Sequence, residues 1–269
     1  MMPFQTHPHD PLPSLSAEQI ARLQESIDTV GMGVWRDAVS PAFLDAARSF
    51  IGQQLDEHDH QYFSLHGERW LAASPLKAIA ESTALRQTVD TLGKHVMAGR
   101  TIKMNMAASM RVLTGELGQR HSERYHYDSY VVTVLVPLIM PDVPGEPHGD
   151  LVLFPNLRGV PGSAMLNIVE KLCVENGLVR ALWRQPRVQR WFGAKVMKMT
   201  PGNLYFFWGI RSLHANQACA VGRVRGTALF HFGDPHAGGV LKRLSGAHHR
   251  FKQQRLARRA SVKIPTADL

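Results

Sequence analysis

The segment after Arg124 combines residue types that can bind a metal with the pattern of a strand. His126 and Asp128 stand two residues apart, and a run of mostly β-branched and apolar residues follows them to Leu138. Because residues i and i+2 of a strand point to the same face of a sheet, the imidazole and the carboxylate would converge on one side. An imidazole and a carboxylate placed in this way are two of the three ligands that a non-haem Fe(II) site requires, and the third would be a histidine from a later strand.

Further along the chain, a histidine and an arginine occur in the order that such a site requires. His214 follows a predicted strand that ends at Phe207, and Arg225 opens the last predicted strand, with Thr227 two residues on. Two imidazoles and one carboxylate leave open positions on the metal, which is typical of Fe(II) sites that use dioxygen. An arginine and a hydroxyl on one strand face can hold a carboxylate through a forked ion pair and a further hydrogen bond.

In this order and spacing, His126-Tyr-Asp128, His214 and Arg225-Gly-Thr227 resemble the Fe(II)/2-oxoglutarate-dependent oxygenases. The wide gap before His214 and the step of eleven residues to Arg225 look most like the phytanoyl-CoA hydroxylase branch. The resemblance covers roughly residues 100–234. It implies an α+β fold, a double-stranded β-helix (jelly-roll or cupin-like) core buttressed by N-terminal helices.

The resemblance also implies a role for each of these residues. His126, Asp128 and His214 would bind Fe(II), and Arg225 with Thr227 would bind the distal carboxylate of the cosubstrate 2-oxoglutarate. Such enzymes use O2 to convert 2-oxoglutarate into succinate and CO2 while they oxidise a C–H bond of a substrate. An aspartate in the ligand pair argues against the related halogenases, which need that position free for chloride. The expected activity is hydroxylation, or another oxidative modification, of a small organic molecule.

A second His-x-Asp pair and a second arginine are alternatives to these assignments. His148-Gly-Asp150 follows prolines and is predicted to lie in a loop that enters a strand, so the earlier pair is favoured. Arg223 could replace Arg225 if the register of the last strand shifted by two residues. We prefer Arg225 because a threonine follows it at the right spacing.

Other polar and aromatic residues are expected around the pocket because of the strands on which they lie. Side chains of the first strands could meet the cosubstrate, and residues near strand ends could face the substrate. His231, on the last strand, is predicted to be a buried histidine with satisfied hydrogen bonds rather than a fourth ligand. The candidates for 2-oxoglutarate are Lys103, Asn105 and Arg111, and those for the substrate are Asn156, Arg158, Tyr130 and Trp208.

Helix signals precede strand signals along the chain. Ser16 with Gln19 forms a capping box, and Ser40-Pro41 reads as an N-cap followed by a first-turn proline. Helices followed by strands with closely spaced turns are typical of an α+β fold with a sandwich or barrel. We expect a helical insertion over the mouth of the barrel. The predicted parts are a flexible arm at 1–15, one oxygenase domain at 16–240 and a basic tail at 241–269. Within the domain we expect a helical buttress at 16–99 and a β-helix core at 100–234, and the core contains the insertion at 163–192.

Most of the excess charge lies in the tail. The chain carries a net charge of +9, and residues 242–263 contain eight lysines and arginines without an acidic residue. Such a tail can bind phosphates or anionic surfaces, although a solvated end is an equally good interpretation. Two alternative functions are therefore kept: an oxygenase that docks on nucleic acid or protein through the tail, and a non-catalytic metal-binding barrel. The second leaves Arg225-Gly-Thr227 without a role.

The composition indicates a cytoplasmic protein. No run of about 18 apolar residues is present, so no transmembrane helix and no membrane partner are expected. The N-terminus lacks the charged and apolar regions of a signal peptide. The two cysteines, Cys173 and Cys219, do not make a disulfide framework. A small-molecule substrate is the favoured partner, and the sequence leaves the oligomeric state open.

Overall fold

The computed structural model describes residues 10–97 and 102–236. Residues 1–9 of the predicted arm and the predicted tail, 241–269, lie outside the described residues. The helices are α1 (Ala17–Thr29), α2 (Pro41–Glu57), α3 (Glu68–Ala72), α4 (Leu76–Glu81), α5 (Thr83–Val96), α6 (Gly115–Arg120), α7 (Ala164–Glu175), α8 (Gly177–Trp183) and α9 (Pro186–Trp191). The strands are β1 (Gly33–Trp35), β2 (Phe63–His66), β3 (Met106–Leu113), β4 (Val132–Ile139), β5 (Leu151–Phe154), β6 (Lys195–Met197), β7 (Leu204–Phe207), β8 (Leu213–Asn216) and β9 (Arg225–Phe232).

The two predicted helix starts are present. The Ser16 hydroxyl accepts a hydrogen bond from the Gln19 amide, and the Gln19 side chain accepts one from the Ser16 amide, which completes the capping box of α1. At α2 the Ser40 hydroxyl accepts from the Phe43 amide, and Pro41 occupies the first turn. Both caps satisfy amides that a helix N-terminus leaves without intrahelical partners.

The end of the predicted arm is ordered, in contrast to the prediction for residues 1–15. Leu12 is buried in the helical part of the core. The Asp10 carboxylate accepts hydrogen bonds from the Ser82 hydroxyl and the Ala84 amide at the start of α5. Sequence reasoning missed this contact because it joins residues more than 70 positions apart.

Two antiparallel sheets form the second half of the fold. The major sheet has the strand order β1-β7-β4-β9-β3-β2, and the minor sheet has the order β6-β5-β8. Along the major sheet, alternate residues face the N-terminal helices and the minor sheet. The helix-facing residues include Val134, Phe206 and Phe230, which belong to the largest apolar cluster, while Leu135 packs against Leu153 of the minor sheet.

This alternation also decides which polar side chains enter the space between the sheets. The residue opposite Leu135 on β9 is Leu229, so Arg225, Thr227 and His231 share its inward face. On β8, His214 lies opposite Leu153 and shares the inward face of the minor sheet. The interior between the sheets therefore contains the polar residues of the candidate site.

The predicted insertion contains α7, α8 and α9. Residues 161–170, with the first part of α7, belong to a compact unit separate from the one that holds the sheets, which resumes at Lys171. Within the sheet-containing unit, Trp183 contacts Phe154 edge-on and the Gln189 amide donates to the Tyr125 hydroxyl at 2.9 Å. These contacts hold α8 and α9 against the outward face of the minor sheet, and placement of the insertion over the barrel mouth stays a prediction. No described helix is long and apolar enough to span a membrane.

Candidate metal and carboxylate site

His126 and Asp128 lie in an extended segment that passes from the minor to the major sheet, not in a regular strand as predicted. His126 forms a single antiparallel bridge with His214, with amide-to-carbonyl distances of 3.0 and 3.1 Å. The Asp128 amide donates to the Gly209 carbonyl at 3.0 Å. Because the chain leaves β8 immediately to reach β4, only one residue pairs. The spacing of two still puts both side chains on the same side.

Three potential ligand atoms converge at this point. The nearest nitrogens of His126 and His214, both Nε2, each lie 3.7 Å from an oxygen of the Asp128 carboxylate. Across residues 10–97 and 102–236, His126, Asp128 and His214 are the group whose ligand atoms come within 4.8 Å of one another. A separation of 3.7 Å is too long for a hydrogen bond. It leaves room for an ion bonded to each atom at about 2 Å.

Hydrogen bonds on the far side of each imidazole orient the two rings. Nδ1 of His126 lies 2.8 Å from the Arg124 carbonyl, and Nδ1 of His214 lies 3.0 Å from the Ser212 carbonyl. A carbonyl accepts only from N–H, so each Nδ1 carries a proton, and in the neutral form of each ring Nε2 is the nitrogen with the lone pair. Nε2 of His214 is buried and has no hydrogen-bond partner among the residues that the structure describes. A buried nitrogen in this state is available to bind a metal ion.

The protonation states suit a metal ion. Burial alone would raise the pKa of the Asp128 carboxyl, but the neighbouring His214, His231 and His126 and the hydrogen bond from Thr133 outweigh burial and hold that pKa well below its usual range. Burial, and secondly the neighbouring His214, lower the pKa of His126 to about 3. Near pH 7 the site therefore combines an ionised carboxylate with a neutral imidazole at His126. These are the forms that bind metals.

A second layer of residues orients Asp128. The buried Thr133 hydroxyl donates to Oδ2 of Asp128 and lies 3.1 Å from Nδ1 of His231, whose ring stacks on Tyr130. Gly209 lies against this same contact, and a Cβ there would collide with the Thr133 hydroxyl and lie 2.5 Å from Oδ2 of Asp128. His231 is thus a partly buried, hydrogen-bonded histidine, and it lies beside the carboxylate without joining the ligand group.

Thr133→Val should weaken Fe(II) binding by about ten- to a hundredfold, the usual cost of losing a residue that orients a ligand. Valine has the shape of threonine but cannot donate to Asp128, so the carboxylate loses its fixed orientation. Anaerobic calorimetric titration with Fe(II) measures the effect. Thr88→Val is the matched control, because this buried threonine bonds only to the Ala84 carbonyl of its own helix. Equal affinity in both variants would contradict the role of Thr133.

A buried cation lies in the same interior. The Arg225 side chain is fully enclosed, and one of its terminal nitrogens lies 3.3 Å from the Thr227 hydroxyl. In the described part of the chain its Nε has no hydrogen-bond partner. Burial, and secondly the charge of Arg111, lower its pKa to about 10. Arg111 lies opposite Thr227 on β3 and reaches the Asn216 side chain at 3.5 Å. No carboxylate among the described residues hydrogen-bonds to Arg225, so the two guanidinium groups could hold an anion.

The two alternatives raised by the sequence occupy other places. Arg223 is exposed and paired with Glu146 at 3.1 Å. His148 lies 3.2 Å from the Val143 carbonyl, and Asp150 accepts from the Met199 amide, so neither belongs to the ligand group. Between them, Gly149 has φ +77°, and a Cβ there would lie 2.6 Å from Cδ of Arg225. This segment packs on the stem of the buried arginine.

Several predicted pocket residues do not reach the site. Lys103 and Asn105 are exposed and precede β3, because that strand begins only at Met106. Asn156 has a positive φ and its amide donates to the Ile27 and Asp28 carbonyls, which fixes a turn. Trp208 is fully buried in the apolar cluster under the helices and donates to Asp28.

Other residues lie beside the site, including one that sequence reasoning missed. Tyr130 stacks on His231, and the Arg158 guanidinium lies 3.9 Å above the Tyr127 ring. The overlooked residue is Lys171, whose Nζ donates to the Ser129 hydroxyl at 3.0 Å, next to Asp128. Burial lowers its pKa. No sequence pattern marks Lys171, because it belongs to the helical insertion and reaches the site only through the fold.

No protein-family model and no curated protein matches this sequence. Solved structures do match its fold. A prolyl 4-hydroxylase from Phytophthora capsici is 15% identical, with a TM-score of 0.51 over 85% of this chain and 70% of that chain. EvdO2 from Micromonospora carbonacea var. aurantiaca, solved with 2-oxoglutarate, is 10% identical, with a TM-score of 0.51 over 84% and 93%. The epimerase SnoN, solved with Fe3+, alpha-ketoglutarate and nogalamycin RO, is 12% identical, with a TM-score of 0.51 over 80% and 84%.

These likenesses confirm the predicted fold. At such low identity they establish the architecture, a double-stranded β-helix core of the kind found in Fe(II)/2-oxoglutarate oxygenases, with helices on the major sheet. The phytanoyl-CoA hydroxylase branch stays a prediction. Within this fold lie the ligand group His126, Asp128 and His214 and the buried cation Arg225.

Proposed function

We propose that this protein is a non-haem Fe(II)/2-oxoglutarate-dependent dioxygenase that oxidises a C–H bond of a small organic molecule and releases succinate and CO2. One observation carries the proposal. Among the described residues, a three-residue ligand group in which Nε2 of His214 has no hydrogen-bond partner and a buried Arg225 with no bonded carboxylate occur together inside a double-stranded β-helix. A metal-binding barrel without catalysis would need the first feature but not the second.

The ligand group fits Fe(II). Two nitrogen donors and one carboxylate oxygen make the two-histidine, one-carboxylate set that leaves open positions on iron, whereas structural zinc sites close all four positions with protein ligands. His126, Asp128 and His214 would hold the ion. Bound iron would supply the oxidising chemistry with O2. The protein contributes two imidazoles, an ionised carboxylate and their fixed orientation.

The buried arginine fits the distal carboxylate of 2-oxoglutarate. A buried cation is costly unless it is paired, and a carboxylate can accept two parallel hydrogen bonds from one guanidinium. Arg225 would supply this fork and Thr227 a further hydrogen bond. Arg111 adds a second positive charge nearby, which favours a cosubstrate with two carboxylates over a neutral molecule.

The small-molecule substrate is supported by likeness rather than by contacts. SnoN was solved with nogalamycin RO, a small molecule, and its fold resembles that of this chain. In this protein Tyr130, Arg158 and Lys171 lie around the ligand group and offer both polar and aromatic contacts. The proposal also places the protein in the phytanoyl-CoA hydroxylase branch, because of the spacing of its site residues. It further includes a cytoplasmic location, because of the low cysteine content of the sequence.

The test is succinate formation from 2-oxoglutarate under air, with Fe(II) and ascorbate and without added substrate. We expect slow turnover in the wild type and in His148→Ala, and none in His126→Ala. Binding of 2-oxoglutarate to the metal-loaded protein is measured in parallel by calorimetry. A wild type that binds Fe(II) but neither binds nor consumes 2-oxoglutarate would overturn the proposal and favour the metal-binding barrel.

A further inference from the structure

The surface formed by residues 176–198 combines exposed apolar side chains with positive charge. This surface, called here the basic apolar surface, comprises α8, α9 and the edge strand β6. The exposed fractions are 87% for Trp191 and 81% for Leu178, and Leu182, Phe192 and Val196 are also exposed. Large apolar side chains exposed together mark an interaction surface, whereas a single exposed one is ordinary.

The charges on this surface all have one sign. Six basic residues and no acidic one occur between Asn176 and Met199. The basic residues are Arg180, Arg184, Arg187, Arg190, Lys195 and Lys198. Only Arg184 has a salt bridge among the described residues, to Glu123 at 3.2 Å. The surface therefore keeps a strong positive potential.

Helical spacing puts two leucines on one face of α8 and puts apolar and basic side chains next to one another on α9. Leu178 and Leu182 are four residues apart on α8, and Arg187 lies three and four residues before Arg190 and Trp191 on α9. Residues three or four apart share a helix face. The opposite sides of these helices are anchored, since Trp183 packs on Phe154 and Gln189 bonds to Tyr125. The exposed faces thus point away from the sheet.

The chemistry of this surface selects its partner. A second copy of the chain would bring two positive surfaces together, which is unfavourable. Nucleic acid would use the arginines but leaves exposed leucines without a role. An anionic lipid surface uses both features, because cations attract the headgroups while tryptophan and leucine enter the interface between headgroups and acyl chains.

We propose that the basic apolar surface binds anionic phospholipid membranes peripherally. Peripheral binding requires no spanning helix, so the absence of a long apolar segment, on which the expectation of no membrane partner rested, does not oppose it. The proposal does not depend on the oxygenase activity, and Arg187, Arg190, Leu178 and Trp191 lie outside the candidate site.

The experiment is co-sedimentation of the full-length protein with vesicles of phosphatidylcholine alone and of phosphatidylcholine mixed with phosphatidylglycerol. We expect binding only to the mixed vesicles, with affinity that falls as salt is added. Each cation near an anionic surface contributes about 1 kcal/mol, so Arg187→Gln/Arg190→Gln should lower the partition coefficient about thirtyfold. Leu178→Ser/Trp191→Ser should lower it about tenfold or more. Arg69→Gln/Lys94→Gln removes two exposed charges elsewhere and is the matched control.

Three outcomes would overturn the proposal. The first is absence of binding to the mixed vesicles. The second is an equal loss in the control variant, or no loss in either test variant, which would assign binding to net charge or to the C-terminal tail. The third is preferential binding of a single-stranded RNA oligonucleotide that depends on the arginines but not on Leu178 and Trp191.

Discussion

Arg225→Met is expected to raise the Michaelis constant for 2-oxoglutarate by about a hundredfold or more while Fe(II) binding is preserved. Breaking a buried ion pair by removing one partner costs about 3–5 kcal/mol, and 1.4 kcal/mol is tenfold in affinity. In the variant, the distal carboxylate of 2-oxoglutarate would enter an enclosed space without its forked partner. Fe(II) affinity should change little because Arg225 does not contact the ligand group in the described structure.

The same variant should be at least as stable as the wild type when no cosubstrate is present. Arg225 is buried, its Nε has no partner, and the nearby Arg111 is also positive. Replacing such a charge with an apolar side chain of similar length removes a desolvation cost. Conversely, 2-oxoglutarate should raise the melting temperature of the wild type but not of the variant, because only a bound ligand stabilises.

Steady-state kinetics with 2-oxoglutarate and thermal unfolding with and without it measure these effects. Arg223→Met is the matched control, since Arg223 is an exposed arginine two residues away that pairs with Glu146. An equal rise in the Michaelis constant in the control would contradict the assignment of Arg225. So would unchanged stabilisation of Arg225→Met by 2-oxoglutarate.

Asp128→Asn is expected to lower the affinity for Fe(II) more than a hundredfold and to abolish turnover. Asparagine keeps the size of aspartate and can still accept the hydrogen bond from Thr133, so the loss isolates the negative charge. Loss of a residue that only orients a metal ligand lowers the metal affinity about ten- to a hundredfold. A carboxylate that binds the ion itself should cost more, since two neutral imidazoles cannot offset the charge of the cation.

Anaerobic calorimetry with Fe(II), followed by the succinate assay, tests this expectation. Asp150→Asn, in the second His-x-Asp pair, is the control, because asparagine can still accept from the Met199 amide that Asp150 binds. Full metal affinity in Asp128→Asn, or a comparable loss in Asp150→Asn, would contradict the assignment of Asp128.

Local features of the fold followed from the sequence wherever neighbouring residues decide them. The caps at Ser16 and Ser40 were predicted because capping joins side chains and amides three residues apart. The strands β5, β7 and β9 were predicted from apolar runs bounded by turns. The strands β1, β2 and β8 were not predicted, because none of them contains a four-residue apolar run like those of β5 and β7, and each forms only against a partner strand.

In the candidate site, too, some residues could be identified from the sequence and others were misplaced. His126, Asp128, His214 and Arg225 could be identified because their types, order and spacing are unusual together. Lys103 and Asn105 were misplaced because the start of β3, which the sequence does not mark, decides whether they face inward. Asn156 and Trp208 were misplaced because their polar atoms bond to Asp28 or its neighbour, far away in the chain.

By itself, then, the sequence determined which side chains could bind a metal and a carboxylate, because spacing along a strand sets the face on which a side chain lies. Only the tertiary structure decided which arginine is buried, which His-x-Asp pair meets His214, and that Thr133, His231 and Lys171 surround Asp128. It alone also exposed the apolar and basic side chains of residues 176–198 on one surface. The physical reason is that burial and convergence depend on contacts between residues distant in the chain, whose partners no local pattern specifies.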